Sequence, residues 1–178
     1  IAPPPEIPEK RLGFSNVLLD DDGVLRRYIL SMDVRSSSSC PATWSFGFQL
    51  ALDYLKYEGI TPKFQQGNWQ INDIIFPRLK ELNGGYQTAD TWGNQVLLDY
   101  RSYRSPNQIT DIVSLEDVLA DKVTPAQIKD KIIIIGVMTS TSSDHFRTPY
   151  SDNLAPAEQY TPGAIVHAQI VSQILNAV

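Results

Sequence analysis

Lys131-Ile-Ile-Ile-Ile-Gly136 is the stretch that decides the reading of the fold. Four consecutive β-branched apolar residues between a lysine and a glycine match a strand buried on both faces, the pattern of a central strand in an α/β sheet. A polar run follows at 137–143 and ends in Asp144-His-Phe-Arg-Thr-Pro149. In open α/β sheets ligands bind beyond the carboxyl ends of the strands, so this run is the first place to look for a site. The expected fold is α/β: a single domain whose mixed β-sheet has a central buried strand at 132–135, with helices packed on its faces.

The flanking sequence fills in that frame. Residues 1–8 hold four prolines, and 1–12 read as a Pro-rich lead-in to one domain over 13–178. Two apolar runs, 14–19 and 24–30, flank Asp20-Asp-Asp-Gly23, which predicts a hairpin because Asp-Gly supplies the positive φ of the turn. Ser36-Ser-Ser-Ser39 reads as a polar loop. After it, 42–57 carries Trp44, Phe48, Ala51, Leu52 and Leu55 on one helical face, predicting a buried helix ended by Gly59. Short marginal strands are expected in 63–83 around Gly67, with a short helix as an option at 78–82, and a buried strand at 95–100. Ser114 and Thr124 each open a short helix, with an acidic or amide partner three positions on. Thr161-Pro162 opens the last helix, in which His167, Ile170, Val171, Ile174, Leu175 and Val178 form an apolar stripe.

Composition narrows the function. The chain has 178 residues, 42% of them hydrophobic, and a net charge of −5 with no dense basic cluster, which argues against nucleic-acid and anionic-membrane partners. Cys40 is the only cysteine, so no internal disulfide can form. There is no run of 18 apolar residues and no secretory start, so neither a transmembrane helix nor a signal peptide is expected within the chain. Ile1 and the uncapped end at 174–178 are consistent with an excised segment of a longer chain.

Three groups of residues carry candidate chemistry. Asp144, His145 and His167 would bind a divalent metal only if the fold brought two imidazoles and a carboxylate together. The reading preferred here is structural: Asp144, Thr148 and Pro149 shape the loop, and His167 reaches it from the last helix, a clasp between strand and helix. No metal, cofactor or catalytic residue is assigned. A hydrolase using His167 with Asp144 is an alternative, weakened because the Gly-x-Ser-x-Gly elbow is absent. Arg27, Tyr100 and Arg101, with Arg26, Tyr103 and Arg104 nearby, offer guanidinium forks and phenols to an anionic ligand, while Thr139, Ser140 and Ser143 offer hydroxyls. These six, Arg27, Tyr100, Arg101, Thr139, Ser140 and Ser143, are the expected ligand contacts. Trp44 is expected in the core, and Trp69 and Trp92 beside a pocket.

Taken in order, Gly13-Phe-Ser-Asn16, Asp22-Gly-Val-Leu-Arg-Arg27, Val96-Leu-Leu-Asp-Tyr100, Val113-Ser-Leu-Glu-Asp-Val-Leu119, Lys131-Ile-Ile-Ile-Ile-Gly136, Asp144-His-Phe-Arg-Thr-Pro149 and Pro162-Gly-Ala-Ile-Val-His-Ala168 resemble one family. It is the second type of CHASE domain, the sensory extracellular domains associated with cyclases and histidine kinases. The resemblance is to the C-terminal part of that domain. It implies a periplasmic or extracellular sensor of a bacterial membrane receptor, of two-component type or coupled to a cyclase. Transmembrane helices would flank the sensor and a separate cytoplasmic output domain would follow. Its partner would be an unknown small-molecule or protein signal, with a homodimer as a further expectation. A ligand-free dimerisation module is the third reading.

Overall fold

In the computed structural model, which describes residues 4–32, 41–101 and 109–177, the buried centre is β1 (Arg27–Ser31). Tyr28, Ile29 and Leu30 of this strand are each 3% exposed or less. The strand pairs antiparallel with β5 (Asn94–Leu97), Tyr28 facing Val96 and Arg27 facing Leu97, with an irregularity between Ile29 and Ser31. The Asp-Gly turn forms as the sequence requires: Gly23 has φ 75° and its N–H donates to Asp20 O. The hairpin it closes is a single antiparallel bridge, Leu18 to Arg27, so β5 and not 14–19 is the main partner of β1.

α1 (Phe46–Tyr57) begins where Ser45 Oγ accepts the Phe48 N–H and ends before Gly59, at φ 76°. It packs on β1 and on α4 (Gly163–Leu175). The closest approach of the two helices needs Gly47, where a Cβ would meet Ile170 Cγ2 at 2.5 Å and Tyr28 Oη at 2.9 Å. β2 (Lys63–Gln65), β3 (Asn68–Ile71) and β4 (Ile74–Phe76) form a meander, and β6 (His145–Arg147) pairs with β7 (Tyr160–Pro162). α2 (Leu115–Leu119) and α3 (Pro125–Ile128) start at Ser114 and Thr124 as expected, the second with a full capping box to Gln127. Leu25, Leu30, Phe48, Leu55, Ile71, Val96, Val166, Ile170 and Ile174 make the main core.

The class is therefore α/β in one small domain, with four α-helices and seven strands among the described residues. The sheets formed among them are three small antiparallel ones. The largest correction concerns 132–135, expected as the central buried strand. These residues belong to no strand; Ile133 is 52% and Ile135 93% exposed. β-branched residues favour an extended backbone but do not provide a partner strand, and the buried central place goes to β1. Trp44 is a second correction: it is 37% exposed and bridges Ser31 just before the helix, because Ser45 sets the helix start after it. Residues 78–82 form no helix, and Leu82 has φ 60°. Trp69 lies in β3 with its ring 4.8 Å from Phe48, half-buried against the core, and Trp92 is exposed. The loop at 36–39, Cys40, Tyr103 and Arg104 fall outside the described residues.

Candidate functional site

The features with functional potential converge on α4. Its first turn receives the loop that follows the isoleucine run. Asp144 O accepts the Gly163 N–H at 3.0 Å, and the Asp144 carboxylate occupies the space where a Cβ of Gly163 would stand. Pro162 at the N-cap makes no side-chain cap, so Asp144 places a negative charge at the positive end of the helix dipole. Thr148 is buried in the turn after β6, its N–H donating to Ser151 Oγ at 2.8 Å, and Pro149 follows it at the surface.

His167 takes a different partner from the expected loop. Its Nδ1 lies 2.8 Å from Tyr28 Oη in β1, and its ring meets Phe46 edge to face at 5.1 Å. Tyr28 Oη accepts the Gly47 N–H, so one phenol ties β1, α1 and α4 together. Burial lowers the His167 pKa below its ordinary 6.5, with Asp144 opposing the shift, and pushes the Tyr28 phenol up to about 12. With both groups neutral, the contact is one hydrogen bond between the phenol and Nδ1, and the tautomer of the ring sets which of the two donates.

A pH dependence follows with a definite sign. The unfolded chain takes up the His167 proton first, so this stability is whole above pH 6.5 and is lost as pH falls from there through the folded pKa. Thermal melts are expected to show Tm falling between about pH 7.5 and 5, and His167→Gln should flatten that fall. Equal falls in both proteins would exclude His167 as the group. Asp22, held down to about 2 chiefly by its hydrogen bond from Arg26, titrates below this window.

A feature that the sequence reading missed lies further along the same helix. Gln173 Oε1 accepts the Asp99 N–H at 3.0 Å and Gln173 Nε2 donates to Leu97 O at 3.1 Å. One turn earlier, Gln169 Oε1 accepts the Arg101 N–H at 2.9 Å and Gln169 Nε2 donates to Arg101 O at 3.0 Å. Two amides four residues apart thus act as peptide groups and hold the extended chain 97–101 on α4. Arg101 Nη1 adds a 2.8 Å bond to Ser172 Oγ. Two glutamines at i, i+4 inside a largely apolar helix were the available signal.

Of the expected ligand contacts, two are turned inward. Arg27 is 6% exposed; Nε bonds Asp20 Oδ1 at 2.7 Å and Nη1 bonds Asp90 O and Gln95 Oε1, both at 3.1 Å. Asp20 also accepts from Arg26 and from Tyr86, and the Tyr86 ring lies under the Arg27 guanidinium. Tyr100 Oη donates to Leu25 O at 2.8 Å, and burial raises its pKa. Arg101 sits on α4. Thr139, Ser140 and Ser143 are exposed in the loop before Asp144, with Thr139 Oγ1 3.2 Å from Thr141 Oγ1. His145 Nδ1 lies 3.0 Å from Ser142 O. No group of three or more metal-ligating side chains forms among the described residues, and no helix there is long and apolar enough to cross a membrane.

No curated protein and no solved structure matches the chain. The CHASE2 domain model matches residues 1–178, the Pro-rich lead-in included, and the chain therefore belongs to the CHASE2 domain family of sensory domains.

Proposed function

We propose that the protein is the extracellular or periplasmic sensing part of a bacterial membrane receptor, coupled to a separate cytoplasmic output domain such as a histidine kinase or a cyclase. A small-molecule or protein signal meets the exposed hydroxyls of Thr139, Ser140 and Ser143 together with Arg101, while Arg27 and Tyr100 act as the buried frame. The signal leaves through α4, whose displacement changes the output. The observation that carries this reading is the double tie of α4: Gln169 and Gln173 fasten it to 97–101, and Asp144 fastens its first turn to the hydroxyl loop. A change in either segment therefore moves the helix. The hydrolytic alternative is less well supported, because the His167 Nδ1 is engaged by a buried phenol and not by a hydroxyl of the loop.

Output of the full-length receptor under its native stimulus tests the coupling. Gln169→Leu combined with Gln173→Leu is expected to abolish the response while circular dichroism shows a folded domain. Gln173→Glu, which keeps the acceptor and loses the donor, should give an intermediate response. An undiminished response in the double variant would sink the proposal.

A further inference from the structure

His167 is one of two histidines in the chain, and it is only 8% exposed at the junction of β1, α1 and α4. Imidazole ordinarily changes charge between pH 5 and 8, and burial makes its charged form costly. The surroundings suit a neutral ring. Tyr28 Oη lies 2.8 Å from Nδ1, and the rings of Tyr28 and Phe46 meet the imidazole edge to face at 5.9 and 5.1 Å.

The elements around the ring bring few charges to it. β1 presents Tyr28, whose phenol stays neutral up to about pH 12, and α1 presents Phe46 and Gly47, which do not titrate. Among the described residues, the charge that bears on the ring is that of Asp144, from the loop before β6. Its carboxylate fills the space beside Gly163, where any Cβ would collide with it. Gly163 and His167 are four residues apart on one face of α4, so the missing side chain of Gly163 brings the carboxylate within a turn of the imidazole. His145, next to Asp144 in sequence, directs Nδ1 to Ser142 O at 3.0 Å.

One imidazole therefore has two competing partners. The neutral ring shares a single proton with the Tyr28 phenol. A protonated ring carries donors on both nitrogens, so Oη, which already accepts the Gly47 N–H, can only accept from it. The geometry points to His167 as a proton-sensing site: protonation exchanges its bond to Tyr28 for an ion pair with Asp144 and shifts the first turns of α4 away from β1 and α1. The step adds one proton from water to the free ring nitrogen and breaks no covalent bond. Asp144 also fastens α4 to the hydroxyl loop, so the exchange acts on the helix that carries the proposed signal. Its effect on output rests on that sensory reading, whereas the exchange itself does not.

Proton–nitrogen NMR of the 178-residue chain between about pH 8 and 5 tests the exchange. The Gly47 amide, bonded to the same phenol, and the Gly163 amide, bonded to Asp144, should shift on one curve with the His167 ring, its midpoint below 6.5, while circular dichroism stays that of a folded domain. His167→Gln should abolish both shifts. Asp144→Asn removes the attracting charge and should move the curve to lower pH, and His145→Gln should leave it in place. Amides that stay fixed while the ring titrates overturn the proposal. So does a curve that follows His145, or global unfolding over the same range. In the full-length receptor, output should differ between about pH 7.5 and 5.5, and His167→Gln should remove the difference. Coupled amide shifts with a receptor indifferent to pH would leave the proton site standing and count against α4 as the route of output.

Discussion

Arg27→Ala is expected to destabilise the domain by about 3–5 kcal/mol, the cost of removing one partner from a buried ion pair. The side chain is 6% exposed and its donors reach Asp20, Gln95 and the Asp90 carbonyl, so alanine leaves several acceptors without their partner. Against a total stability of about 5–15 kcal/mol, such a loss leaves a marginal fold. The neighbouring arginine provides the control. Arg26 also pairs with Asp20 and with Asp22, but its side chain is 37% exposed, and Arg26→Ala should cost no more than about 1 kcal/mol. Urea unfolding followed by circular dichroism separates the two. Equal losses would mean that burial does not set the strength of this network.

Phe48→Ala is expected to cost about 3–5 kcal/mol, the usual range for deleting a buried aromatic ring. Phe48 is 1% exposed in α1, and its ring meets those of Trp44 at 6.4 Å and Trp69 at 4.8 Å. It fastens α1 to β3, and α1 is the surface on which α4 rests. On the same helix Tyr57 is 82% exposed, so Tyr57→Ala should stay within about 0.5 kcal/mol. A loss below about 1 kcal/mol for Phe48→Ala would show that the cavity collapses, with the tryptophans closing in. Trp fluorescence, which would shift on such a movement, distinguishes that outcome from simple loss of packing.

Elements with local causes were legible in the sequence. Ser114 opens a helix because its side chain caps the next turn, Thr124 opens one with the Gln127 side chain accepting its N–H, Gly59 ends α1 through its positive φ, and Gly23 closes the Asp-Gly turn. The apolar stripe of α4 is equally local, since Ile170, Val171 and Ile174 are buried as their spacing requires. The candidate site was only partly legible. Asp144 was read as a loop-shaping residue, and the structure places it at the first turn of α4. Gln169 and Gln173 escaped notice because an amide in a helix declares nothing until the backbone it will pair with is in place.

The sequence by itself determined the α/β class, the end of α1, the starts of α2 and α3, and the order of motifs that places the chain among CHASE2 domains. Each of these depends on residues within a few positions of one another or on their order. Only the tertiary structure decided which strand is central, because burial of a strand depends on a partner distant in sequence. β1 finds β5 some 70 residues away, while the more apolar 132–135 finds no partner among the described residues. The same reason turned Arg27 inward and gave His167 to Tyr28. Their types were plain from the sequence, but their roles depended on what the fold set beside them.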